Sequence, residues 1–132
     1  MGTSTDAILV YGFEIGSEDE PPEFLEAFDG DFDEYLNDIS GLPKYGESGH
    51  TFEAQWAWRD SCPADMTMHC SYDYPMYILA VRGTKTTAYR GYPKEIKSLA
   101  IDEAKVSAFR EWCEANGIEY QEPKWLLVSM WG

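Results

Sequence analysis

The chain has 132 residues, an aromatic content of 15% and a formal net charge of −14 at pH 7. This length suits one domain that buries a core without disulfide staples, and the aromatic content argues against intrinsic disorder. The negative charge would repel nucleic acid phosphates and anionic membrane surfaces. We therefore expect a single domain spanning residues 1–132, with no direct nucleic acid binding and no membrane association.

The three cysteines, Cys62, Cys70 and Cys113, match no disulfide framework, which favours a reducing compartment. No basic leader precedes an apolar stretch, so no secretory signal is expected. The longest apolar run, Met76 to Val81, is too short to cross a bilayer. These features predict a soluble protein of the cytoplasm.

The acidic residues are concentrated at the N-terminal end. Residues 1–40 contain twelve of the 24 Asp and Glu residues and no Lys or Arg, and the first basic residue is Lys44. The remaining ninety-two residues are almost balanced, with twelve acidic and ten basic residues. Residues 82–97 are locally basic, because five Lys and Arg residues face only Glu95. The chain is therefore a charge dipole along its sequence.

The N-terminal third predicts a strand followed by a helix. Residues 7–15 are β-branched and aromatic, which is typical of a buried strand. Pro21 and Pro22 open a helix, and apolar residues recur at helical spacing as far as Ile39. Gly30 in its middle costs about 1 kcal/mol relative to Ala, so a kink is expected there.

The middle of the chain predicts a loop followed by three strands. Residues 43–62 read as a loop-rich insertion, in which residues 51–58 could form a short strand or a helix. Apolar and polar residues alternate over 66–74, which indicates a half-buried strand. The apolar run 76–81 predicts a central strand, and 85–90 would complete an antiparallel meander.

The C-terminal third predicts a helix and a final strand. The helix begins near Asp102 and stops at Asn116 and Gly117, where glycine suits a left-handed residue. Residues 125–131 are apolar on both sides, which predicts an interior strand. The expected fold class is α+β, with a mixed or antiparallel sheet of about five strands and two helices packed on one face.

No metal site or cofactor is expected. The three aspartates within Asp29–Asp33 imitate the start of a calcium loop, but Glu34 stands where that loop needs glycine and Ser40 where it needs glutamate. A zinc site built from the two histidines and three cysteines is disfavoured, because no C-x-x-C pair occurs. Adjacent His69 and Cys70 would also point to opposite faces of a strand.

No catalytic residues are predicted, and we do not expect an enzyme. Two histidines offer little for a nucleophile system, and no glycine-rich phosphate loop is present. One group of polar residues could form a ligand pocket beside the predicted meander: His69, Asp73, Arg90 and Tyr92. The alternative for this group is an ordinary solvated sheet face.

The acidic N-terminal third allows two interpretations. The charge could simply maintain solubility. Alternatively, carboxylates spaced along a helix could imitate the phosphates of nucleic acid and occupy a basic groove on another protein. The acids assigned to such an interface are Asp29, Asp31, Asp33, Glu34 and Asp38.

Four segments carry a resemblance: Tyr11–Phe13, His69–Ala80, Arg90–Pro93 and Trp131–Gly132. They resemble small accessory proteins encoded by tailed bacteriophages, and the resemblance extends over most of the chain except residues 43–62. It implies no activity, fold or catalytic residue. What it implies is a setting inside a bacterium, where small acidic proteins that disable restriction or CRISPR machinery are common.

The leading hypothesis is an accessory protein that binds and inhibits a nucleic-acid-handling or defence complex of the host through a basic surface of its partner. One alternative is a small-ligand binding protein or sponge for a nucleotide or second messenger. A further alternative is a minor virion or assembly protein.

Overall fold

The computed structural model describes residues 5–132. Within that range the strands are β1 Thr5–Ser17, β2 Ala64–Ser71, β3 Pro75–Val81, β4 Thr86–Ala88 and β5 Lys124–Trp131. The helices are a 3₁₀ helix Glu23–Phe28, α1 Phe32–Ser40, α2 Phe52–Ser61 and α3 Glu103–Ala115. The predicted α+β class with a five-stranded mixed sheet is confirmed, although the described residues form four helical segments where two were expected.

The strand pairings close into a ring. β1 pairs antiparallel with β5 through Thr5–Gly12 and with β3 through Gly12–Ser17. β2 pairs antiparallel with β3, and its last two residues pair in parallel with the end of β5. The order β1–β3–β2–β5 therefore returns to β1. A β-bulge between Glu14 and Gly16 bends β1 within the part that pairs with β3.

Gly12 lies where β1 passes from β5 to β3. A Cβ atom at this position would overlap the carbonyl oxygen of Leu79. Only glycine allows the two backbones to approach this closely, so the residue is part of what closes the ring.

The predicted meander is wrong at its third strand. Of residues 85–90, Thr86–Ala88 form β4, and this strand pairs antiparallel with β1 instead of β3. The physical reason is that both edges of β3 are already paired, one with β2 and the other with β1. Gly83, at a φ of 86°, turns the chain away from β3.

Two apolar cores lie on the two sides of the sheet. The smaller core lies within the ring and contains Val10, Ile78 and Ala80, with Leu126 and Val128 packed against them. The larger core lies between the sheet and the helices and includes the fully buried Phe109 of α3. The larger cluster anchors the helices on one side of the sheet.

The predicted kink at Gly30 is a complete break. The 3₁₀ helix ends at Asp29, whose φ is 52°, and Gly30 follows with a φ of 81°. α1 then begins after Asp31, whose side-chain oxygen accepts a hydrogen bond from the Glu34 amide at 3.1 Å. The apolar stripe nevertheless continues across the break, because Leu25 and Leu36 are both buried in the larger core.

Residues 43–62 contain the helix α2, which settles the choice left open for residues 51–58. Thr51 caps the helix by accepting a hydrogen bond from the Ala54 amide at 3.2 Å. None of the residues of α2 is buried. The helix therefore lies on the surface.

β5 was predicted to be an interior strand; it has neighbouring strands on both sides, but one of its faces is exposed to solvent. Leu127 on this outer side is 75% exposed.

No helix within residues 5–132 has the length and apolar character needed to cross a membrane.

Candidate acidic binding surface

Ten carboxylates lie between the end of β1 and the end of α1, and all ten are exposed. No Lys or Arg interrupts them in the sequence. We call this group the acidic surface; it consists of Glu18, Asp19, Glu20, Glu23, Glu26, Asp29, Asp31, Asp33, Glu34 and Asp38.

Aromatic packing holds the acidic surface to the rest of the fold. Tyr35 of α1 is buried, and its ring lies 5.0 Å from the ring of Phe24 and 5.6 Å from that of Phe28, measured between centroids. Burial, with a smaller contribution from neighbouring Cys113 and Asp38, raises the pKa of Tyr35. The connector before the 3₁₀ helix is fixed as well, because the Glu18 amide donates to the Pro75 carbonyl at 2.9 Å. The carboxylates therefore project from an ordered unit.

Two of the five acids predicted for an interface have structural roles. Asp31 caps α1, and Asp29 occupies the left-handed position that ends the 3₁₀ helix. A side-chain cap of this kind contributes about 1 kcal/mol to stability. Their backbone conformations follow from the break at Gly30.

Two other acids of that set form ion pairs with residues after position 40. The Asp33 carboxylate lies 3.7 Å from Arg59 of α2, and the Asp38 carboxylate lies 3.6 Å from Lys44. Glu34 lies between them on α1. The segment read as an insertion thus partly neutralises the acidic surface on one side.

The acidic α1 and the exposed α2 enclose a groove with a cavity volume of about 280 Å³. Its lining includes the acidic residues Glu34 and Asp38 and the aromatic residues Tyr45 and Phe52. Neither aromatic residue was predicted from the sequence to belong to a site. Their signal was an unusual density of aromatic side chains in a segment otherwise rich in glycine and polar residues.

The four residues predicted to form a ligand pocket differ in their exposure. Asp73, Arg90 and Tyr92 are exposed, whereas His69 is only 8% exposed. None of these four side chains lines any of the five surface cavities described within residues 5–132.

His69 does not lie on a solvated sheet face, which was the alternative interpretation of this group. Its neighbour on the same face of β2, Thr67, is opposite Ile78 in the small core. His69 therefore lies on the inner side of the ring, and its Nε2 atom has no hydrogen-bond partner within the described residues. Burial lowers its pKa, against a smaller opposing effect of the nearby Glu14 carboxylate.

The cysteines give no sign of a reactive or metal-binding site. Cys62 and Cys113 are buried and Cys70 is exposed, all three without a disulfide. Burial raises the pKa of Cys113 to about 12, which keeps it a thiol. Across residues 5–132 no three His, Cys, Asp or Glu side chains are grouped to hold a metal ion.

Comparison of the chain with protein-family models, with curated proteins and with solved structures finds no match.

Proposed function

We propose that this protein binds a basic surface of a nucleic-acid-handling protein and inhibits it by occupying the place of the nucleic acid. The observation that carries the proposal is the acidic surface: ten exposed carboxylates on an ordered unit that contains no basic residue. The resemblance to bacteriophage accessory proteins adds the setting, a defence or nucleic acid complex inside a bacterium.

Because a single exposed ion pair contributes little energy, we expect the carboxylates of the acidic surface to bind a partner as a group and not singly. An exposed ion pair contributes only about 0–1 kcal/mol and is screened by salt. Many carboxylates of one sign instead produce a field that steers a basic partner and accelerates its association. Binding of this kind is strong at low ionic strength and weakens as salt is added.

The experiment is capture from a bacterial lysate on the immobilised protein at low and at high salt. The proposal expects a basic protein to be retained at low salt, to be released by salt, and to be displaced by an added DNA or RNA oligonucleotide. A retained protein that the oligonucleotide does not displace would contradict mimicry of nucleic acid. Retention of no basic protein at low salt would contradict the proposal as a whole.

A further inference from the structure

α2 presents aromatic side chains to solvent at the edge of the acidic surface. Phe52 is 47% exposed and Trp56 55% exposed, and Tyr45 in the preceding loop is 80% exposed. The rings form a continuous row, with 5.7 Å between the centroids of Tyr45 and Phe52 and 5.6 Å between those of Phe52 and Trp56. Large aromatic side chains that stay exposed and mutually packed are typical of the energetic centres of protein interfaces.

The row is held in place although it is exposed. The His50 ring meets Phe52 edge-on at 4.8 Å between centroids, and His50 Nε2 lies 2.8 Å from Gln55 Oε1. The loop before it is tied by the Lys44 amide, which donates to Glu47 Oε1 at 2.7 Å. Rings that are already positioned lose less conformational entropy when a partner binds.

The groove beside this row selects for positive charge. Glu34 and Asp38, one helical turn apart on α1, line it together with Tyr45 and Phe52. Aromatic faces carry a negative quadrupole that attracts cations, and the carboxylates accept hydrogen bonds from them. The rings and the carboxylates therefore favour the same occupant, a cation with a flat charged group or an apolar side-chain stem.

Lys44 shows how a cation fits there. It lines the groove, and its Nζ atom lies 3.6 Å from the Asp38 carboxylate. Both side chains of this pair are more than half exposed, at 62% and 53%. Solvent screening makes such a pair weak, so a cation with better geometry can displace Lys44.

We propose that the groove between α1 and α2 accepts an arginine side chain of the partner protein, with its guanidinium over the rings of Tyr45 and Phe52 and its N–H groups donating to Glu34 and Asp38. Arginine suits the groove better than lysine, because its planar guanidinium both stacks and donates two parallel hydrogen bonds. This inference rests on the proposed function and supplies the specific anchor that a diffuse acidic surface lacks.

The first test measures binding of an oligoarginine peptide at low salt by fluorescence anisotropy, with an oligocitrulline peptide of the same length as the neutral probe. Tyr45→Ala and Phe52→Ala are each expected to weaken oligoarginine binding about two- to five-fold. The matched control is Tyr92→Ala, because Tyr92 is 75% exposed and outside the groove. Equal affinity of all three variants, or equal affinity for the two peptides, would overturn the proposal.

A second test uses the resident cation. Lys44→Ala and Lys97→Ala each remove one positive charge, so both raise the general attraction for a cationic peptide by a similar amount. Lys44→Ala also frees Asp38 and opens the groove, and it is expected to strengthen binding further than Lys97→Ala does. Equal gains in the two variants would place the peptide elsewhere on the protein.

The outcomes separate this inference from the proposed function. If the peptide binds but the groove variants behave as the wild type, the groove proposal fails and the acidic surface stands. If the groove variants weaken peptide binding while lysate capture retains no basic protein, the groove stands and the proposed function fails. No oligoarginine binding at low salt overturns both.

Discussion

Arg59 of α2 donates to one oxygen of Asn37 on α1 through two hydrogen bonds, from Nε at 3.3 Å and from Nη2 at 3.1 Å. The same guanidinium also approaches the Asp33 carboxylate at 3.7 Å. No residue of α2 is fully buried, so this cluster holds the helix against α1 together with Trp58, which packs against the larger core. The groove and its aromatic row lie between the two helices that these contacts join.

Replacing Arg59 with alanine is therefore expected to loosen the contact between α2 and α1, while Trp58 still packs against the larger core. The lost hydrogen bonds correspond to about 1–2 kcal/mol, since Arg59 is only partly exposed. Urea unfolding measures the loss, and oligoarginine affinity is expected to fall as well because the rings lose their position. The control is Arg110→Ala, which removes the same charge together with an exposed ion pair to Glu114 and a contact with the Tyr120 ring. It should cost less stability than Arg59→Ala and should slightly raise oligoarginine affinity, because one positive charge is lost.

At Asp31, the N-cap of α1, the effect of the charge on binding can be measured separately from the effect of the cap on stability. Asp31→Ala removes the hydrogen bond to the Glu34 amide and should cost about 1 kcal/mol of stability. Asp31→Ser keeps a capping oxygen and removes the charge, so stability should be retained while binding to a basic partner weakens. Thermal unfolding of the two variants measures the difference in stability. Equal destabilisation would show that the capping hydrogen bond does not determine stability at this position.

Gly12→Ala tests the closure of the strand ring. The added Cβ would overlap the Leu79 carbonyl, and overpacking of this kind typically costs about 1–3 kcal/mol. Ser129→Ala, an exposed substitution on β5, is the matched control and should be close to neutral. If Gly12→Ala is as stable as the control, β1 and β3 are not as close as the structure places them.

His69 should make stability depend on pH. Burial lowers its folded-state pKa below the unfolded value of about 6.5, so the unfolded state binds more protons at acidic pH. This contribution to stability is intact above pH 6.5 and is lost as pH falls from there towards the lower folded pKa. Urea unfolding at a series of pH values should show the slope in wild type and not in His69→Leu. Thr67→Val, a buried and non-titrating neighbour on β2, should keep it.

The sequence predicted most elements of the fold because their periodicities are local. The strand over residues 7–15, an irregularity at Gly30 and the helix stop at Gly117 all follow from neighbouring residues, although the predicted kink at Gly30 is a complete break. The partner of β4 could not be predicted that way, since it depends on which edges of β3 are already occupied.

The candidate site was predictable in part for the same reason. The acidic surface follows directly from the absence of Lys and Arg before Lys44. The face of His69 was misassigned, because alternation along β2 defines two faces but does not say that the side with Thr67 and His69 would be enclosed by the ring. The groove depends on Arg59 bridging to Asn37 across twenty-two residues, a contact that no local pattern signals.

The most direct measurement of the central claim is lysate capture with two variants of equal charge. Glu18, Glu20 and Glu26 of the acidic surface are changed to glutamine in one, and the exposed Glu95, Glu103 and Glu111 outside it are changed in the other. If the acidic surface binds a basic partner, the first variant should lose the protein retained at low salt and the second should keep it. Equal retention by both variants would contradict the claim, because it would show that net charge alone accounts for the binding.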